Sequence, residues 1–182
     1  RTRDTGRIMI LDLLRLLLFP TLMAFAASSD LLTMTISNRV SLLLIAGFLV
    51  LAPASGMGLT EIGLHVAAGA TVLAISFTCF ALGWIGGGDA KVAAATAMWF
   101  GFDFLIPYLA TAAAFGGVLT ILLLAFRHWP LPYMFSGQHW LLRLHHPESG
   151  VPYGIALAAG ALMIYPETPW IKVVDLSRFI TG

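Results

Sequence analysis

Charge is what this chain has least of. Of its 182 residues, 10% are charged and 59% are hydrophobic, against roughly a quarter charged in an ordinary soluble domain. That balance excludes a water-facing surface over most of the chain, and lipid is the expected solvent. A net charge of +1 excludes a field strong enough to recruit nucleic acid. Cysteine is nearly absent. The lone Cys79 rules out an internal disulfide, a cysteine-rich zinc knuckle and a dithiol redox pair within one chain, and it reads as a small buried hydrophobe. Metal-ligand spacing is missing as well. His128, His139, His145 and His146 cluster between Arg127 and Glu148, without an HExxH-like pattern and without an acid at a ligand position. That segment reads as an interfacial loop, and no metal or other cofactor is expected.

What the chain has is long apolar runs. A spanning helix needs about 20 apolar residues, because a hydrocarbon core about 30 Å thick is crossed at 1.5 Å per residue. Six segments qualify as helices, at about 8–27, 36–54, 62–85, 90–101, 104–126 and 151–165. The expected fold is therefore all-α, a polytopic membrane protein with about six transmembrane helices, one domain over 1–182 and no soluble domain. Two segments, 90–101 and 151–165, are too short to cross unaided. Each begins in breaker-rich sequence, Gly86-Gly87-Gly88 for one and Pro152-Tyr153-Gly154 for the other. Irregular backbone at membrane depth is tolerated only where it lines a protein-walled, watery cavity, so these two starts mark the place to look for a site.

The N-terminus imitates a signal peptide, with Arg1, Arg3 and Arg7 ahead of an apolar run. No convincing small-residue cleavage site follows, and the run reads as a retained helix. Met9 opens that run, so residues 1–8 read as an upstream extension if translation starts there. Orientation follows from Lys and Arg near the helix ends. With the Asp30 loop in the cytoplasm, the inside carries Arg39, Lys91, Arg127 and Arg143, and the outside carries Lys172 and Arg178. The count favours this orientation when Arg1, Arg3 and Arg7 are left out of it.

Acids within apolar segments are costly and are candidates for function by default. Asp12 lies three residues before Arg15, a spacing that puts both on one helix face for structural pairing. Asp4, Glu148, Glu167 and Asp175 sit in polar flanks and read as solvated. Glu61 precedes the third helix, where an acid suits the helix dipole, and Asp103 lies at a short turn. His65 reads as hydrogen-bonded inside the bundle. Asp30 and Asp89 differ from all of these, because each stands where an apolar helix meets a polar or glycine-rich turn, on one expected membrane face. Two neighbouring carboxylates cannot both ionise easily, so one keeps a proton while the other acts as a base. Such a pair can activate a water and protonate a leaving group. Gly86, Gly87 and Gly88 leave no side chains beside Asp89 and permit unusual backbone, room enough for an extended substrate.

Three ordered motifs carry a resemblance. The run GGGDAKVAAA from Gly86 to Ala95 resembles the GxGD signature of the type IV prepilin peptidases. Ser29 to Asn38 resembles that family's first aspartate element, in which Ile-Pro-Asn follows the Asp, with Ser37 standing where Pro is usual. Gly150 to Ala156 resembles the Pro-Tyr-Gly start of the family's last helix. The size and missing N-terminal cytoplasmic domain are similar to the short CpaA/TadV-type branch that processes Flp-type pilins. The resemblance implies a catalytic pair, Asp30 and Asp89, facing the cytoplasm from the bacterial inner membrane. It also implies hydrolysis of the leader of a membrane-inserted prepilin or pseudopilin, beside the lipid bilayer. Without a four-cysteine zinc element, N-methyltransferase activity is not implied. Substrate-binding or site-shaping positions are Gly86, Gly87, Gly88, Lys91, Asn38, Pro152, Tyr153 and Gly154. Of these, Lys91 tunes Asp89, anchors its helix at lipid phosphates or makes a structural pairing, and Asn38 either bonds the turn after Asp30 or caps a helix. A small proton-coupled transporter or channel using the same acids as a relay is the alternative, and an inactive assembly scaffold is a third reading.

Overall fold

In lipid every backbone N–H and C=O must find its partner within the protein, which leaves helices as the form for these apolar runs. The computed structural model describes residues 2–131, 134 and 137–174. Arg1, Asp175 and Arg178 of the charge count lie outside the described residues, as do the side chains of Arg3, Asp4 and Arg7. The described chain is helical, with α1 (Thr2–Thr33), α2 (Asn38–Ala54), α3 (Leu59–Ala81), α4 (Gly87–His128), the short α5 (His139–His145), α6 (Tyr153–Ile164), a 3-10 turn (Tyr165–Glu167) and α7 (Pro169–Lys172). Three of these, at Ile8–Thr33, Leu59–Ala81 and Gly87–His128, are long and apolar enough to cross a membrane, and Asn38–Ala54 is a shorter apolar helix. The chain is an all-α membrane protein.

α4 is two helices joined across a kink at Gly101, whose φ of 61° and ψ of −173° are not helical. Its two legs correspond to the expected segments 90–101 and 104–126. The second leg folds back, since Gly116 meets Tyr153 and Ala112 meets Gly160 on α6. Side chains from other helices bond the carbonyls just before the break. His65 Nδ1 donates to Met98 O at 2.8 Å, and Trp170 Nε1 donates to Trp99 O at 2.7 Å. His65 is thus hydrogen-bonded inside the bundle, as its position implied. Around the break lies an aromatic core in which Phe19 stacks on Tyr165 at 4.4 Å and Trp99 meets Trp170 at 4.8 Å.

Contacts at the two ends fix an alternating, antiparallel bundle of six legs. Arg15, Ser55, His65, Trp99 and Tyr165 gather at one end, since Arg15 Nε donates to Ser55 Oγ and Tyr165 Oη donates to Arg15 O. Asp30, Asn38, Ser76, Lys91 and Gly154 gather at the other, through Gly154 to Asp30, Lys91 to Asn38 and Ser76 to Ala90.

Asp12 and Arg15 pair as their spacing implied, with Nη1 to Oδ1 at 2.9 Å in a largely buried setting. Removing one member leaves the other charge buried, which costs about 3–5 kcal/mol, whereas removing both together costs far less. Thermal unfolding in detergent is therefore expected to place Arg15→Leu well below the parent and Asp12→Leu/Arg15→Leu above Arg15→Leu. The reverse order would show that the pair contributes little.

Candidate active site

α1 runs six residues beyond its expected end near Ala27, because Ser28 Oγ and Thr33 Oγ1 bond the carbonyls one turn back instead of competing with the helix. It ends at Met34, whose φ of 55° is left-handed and whose N–H closes on Asp30 O at 2.8 Å, the αL form of helix termination. Asp30 therefore occupies the last turn of α1 and is only 5% exposed. Its Oδ2 accepts the backbone N–H of Gly154 at 2.7 Å. That donor is one of the N–H groups which the first turn of any helix leaves unsatisfied, and Pro152, the N-cap of α6, supplies no side-chain cap. The acid on α1 thus caps α6.

Asp89 is built in a parallel way. Gly86 is the N-cap of α4 and has no side chain to offer, and Asp89, three residues on, reaches back to the Gly86 backbone. This is the returning half of a capping box. Each carboxylate thus sits at the positive end of a helix dipole, one at α6 and one at α4.

The two acids line a single cleft of about 250 Å³ with Met34, Thr35, Ile36, Gly86, Gly87 and Gly88, close enough for Asp30 to act electrostatically on Asp89. Small residues are required here by geometry. A Cβ on Gly86 would lie 2.9 Å from Asp89 Oδ2, and one on Gly154 would lie 2.8 Å from Asp30 Oδ2. The cleft holds two carboxylates, a glycine-walled approach and room for water, the parts needed for general acid and base chemistry on one bond.

The remaining sequence candidates fall in different places. Lys91 Nζ donates to Asn38 Oδ1 at 2.8 Å, a pairing between α4 and α2 beside the cleft rather than within it. Asn38 does not cap α2. That position belongs to Ser37, whose hydroxyl accepts from Arg39 N and whose φ of −63° is one that proline could adopt. Tyr153 packs on Gly116, with its hydroxyl 3.5 Å from Thr120 Oγ1, and so faces α4. In the histidine-rich segment, Arg127 donates to the carbonyls of Leu144, Ser149 and Gly150, tying the loop down ahead of α6. Among the described residues no group of three or more His, Cys, Asp or Glu is placed to hold a metal ion.

Ile36 is the residue that sequence reasoning missed. It touches the Cβ positions of both Gly88 and Gly154 and so packs the starts of α4 and α6 against the end of α1. Its signal was present, as a single apolar residue between Thr35 and Ser37 in a polar stretch. Met34 carried no such signal, since nothing in a methionine announces a left-handed φ.

No curated protein and no solved structure gives a significant match to this chain. The type IV leader peptidase family does, over residues 17–121. That span contains both acids and the glycine run, stops short of Gly154 and covers more than half of the sequence, and the chain belongs to the type IV leader peptidase family.

Proposed function

We propose that the chain is an intramembrane aspartyl endopeptidase of the short CpaA/TadV-type branch, which removes the leader peptide from Flp-type prepilins or pseudopilins. Family membership supports the coarser statement, a leader peptidase in a membrane. The observation that carries the finer one is the shared cleft of Asp30 and Asp89 under the glycine run. In this reading one carboxylate is ionised and takes a proton from a water lying between the pair. The water oxygen attacks the scissile carbonyl, and the protonated carboxylic acid donates to the developing oxyanion. Collapse of the tetrahedral species breaks the C–N bond, and a proton from the dyad leaves with the amine. The pair titrates as a unit.

Arg39, Lys91, Arg127 and Arg143 belong to the end of the bundle that holds the two acids, and a cytoplasmic assignment of that end follows the excess of basic residues on inner loops. The bacterial inner membrane is the corresponding location. The direct test is a purified protein in detergent with a Flp-type prepilin, read by mass spectrometry of the products. A single cut that releases the leader ahead of the apolar helix is expected. An intact prepilin after prolonged incubation would overturn the proposal. Two carboxylates and a water suffice for this reaction, so excess EDTA is expected to leave the rate within about twofold of its untreated value. A rate that collapses with EDTA and returns with a divalent cation would instead identify a metallopeptidase.

A further inference from the structure

Beneath the two acids, toward the middle of the bundle, lies a buried polar layer that the chemistry of the cleft does not use. Residues seven apart fall on one helix face, separated by about 10 Å along the axis. Met23 therefore lies beneath Asp30 on α1, and Thr96 lies beneath Asp89 on α4. The two meet, since Thr96 Oγ1 donates to Met23 Sδ at 3.6 Å. Between the two levels the same faces carry Ala26 and Ala93, both buried. Tyr108 enters this layer from the second leg of α4 and is fully buried. Its ring meets Phe100 edge-on with centroids 5.1 Å apart, and its hydroxyl lies beside Thr96. Thr96 is one turn nearer to Asp89 than Phe100 is, so the long axis of the ring points along the first leg toward the dyad. Tyr108 is close enough for Asp89 to act on it electrostatically. Yet its Oη has no hydrogen-bond partner among the described residues, and the Thr96 hydroxyl has only a thioether, a weak acceptor. A buried tyrosine hydroxyl ordinarily finds a partner.

We propose that Tyr108 is a positioning residue for the dyad, its hydroxyl and that of Thr96 holding one buried water that hydrogen-bonds the Asp89 carboxylate from the bundle side. The proposal rests on the peptidase reading and adds a support beneath the pair. A buried water makes two to four hydrogen bonds to polar groups that lack them, and Tyr108 Oη, Thr96 Oγ1 and Asp89 supply three. A donor on that side favours the ionised form of the pair and fixes the carboxylate opposite its bond to the Gly86 backbone. Asp30 and Asp89 are the titratable groups that this layer faces. The others on the surrounding helices point elsewhere. Tyr153 packs on Gly116, Lys91 bonds Asn38, and Tyr165, His65 and the Asp12–Arg15 pair belong to the far end of the bundle.

The test compares the parent, Tyr108→Phe, Thr96→Val and the double variant on a Flp-type prepilin, with melting temperatures in the same detergent. Tyr108→Phe is expected to lower kcat about tenfold with KM within about twofold of the parent. Because the ionised form of the pair loses a donor, the acid limb of the kcat/KM profile is expected to move up by about half a unit to one unit, the scale of one hydrogen bond. Thr96→Val is expected to do the same, and the double variant to do no more than either, since both hydroxyls act through one water. Parent-like kcat and pH profile in Tyr108→Phe, at an unchanged or higher melting temperature, would overturn the proposal. So would a loss of kcat with the acid limb unmoved, which is what general loosening of the bundle produces. Should the Phe variant fail to fold, 3-fluorotyrosine at position 108 keeps the ring and the hydroxyl and only makes the O–H a stronger acid. It is expected to move the acid limb down, and an unmoved limb would again sink the proposal. A parent that cleaves nothing would overturn the peptidase reading and this support with it, whereas an active parent indifferent to Tyr108 removes the support alone.

Discussion

Asp30→Asn and Asp89→Asn are each expected to lower leader removal by about a thousandfold or more, in proteins that unfold within a few degrees of the parent. The activity loss follows from the division of labour in the cleft, since removing a general acid or base typically costs 10²–10⁴-fold and here both roles fall on two groups that work as one. The small stability change follows from what each carboxylate bonds. Asp30 accepts the Gly154 N–H and Asp89 bonds the Gly86 backbone. An Asn side chain keeps an acceptor oxygen of nearly the same shape for either bond. Each helix start therefore stays capped while the chemistry is lost. Rates on a Flp-type prepilin and melting temperatures in the same detergent check both halves. An Asn variant of either residue that still cleaves at more than a tenth of the parent rate, in material free of any host peptidase, would remove that residue from the catalytic pair. Family membership leaves no separate ground for the transporter reading, in which these acids would form a relay.

The helices were legible because lipid permits so few alternatives. Long apolar runs have one form available when backbone groups cannot bond to water, and even the break in α4 showed as Gly101 followed by the polar Asp103. Ends were harder to read. Ser28 and Ser29 suggest a turn by their competing hydroxyls, yet Ser28 Oγ bonds Ala24 O one turn back, Ser29 Oγ bonds Thr35 O beyond the helix end, and α1 continues to Thr33. The acids themselves stood out because an ionisable group amid apolar sequence needs a reason to be there. How they are held did not, since that depends on contacts between residues far apart in sequence. Gly154 lies 124 residues from Asp30, and no local pattern says that a carboxylate on the first helix caps the sixth. The same holds for Lys91 and Asn38, 53 residues apart. A structural pairing of Lys91 was among the duties its position suggested, but nothing local named Asn38 as the partner.

The second large effect is expected at Gly154, which carries no reactive group. A Cβ there would lie 2.7 Å from Ile36 Cδ1, 2.8 Å from Asp30 Oδ2 and 3.0 Å from Asp30 Cβ. Gly154→Ala must therefore push Ile36 aside, shift Asp30, or lift the start of α6 from the end of α1. Overpacking of this kind costs about 1–3 kcal/mol. Displacing a catalytic group by an ångström costs about a hundredfold in rate, and that is the loss expected here. Ile36→Val removes the Cδ1 methyl and with it one of the three clashes. The double variant Gly154→Ala/Ile36→Val is thus expected to recover most of the stability and little of the activity, because the contact with Asp30 remains. Gly150→Ala, in the loop just ahead of α6, serves as the control, because a Cβ there would meet nothing within 4 Å. Its rate is expected to stay within about twofold of the parent, as for most surface substitutions. Melting temperature and initial rate measured on all four proteins separate the two consequences. If Gly154→Ala retains the parent rate, the close seat of α6 against Asp30 is not what positions that carboxylate. If the double variant regains rate and stability together, Ile36 rather than Asp30 carries the effect.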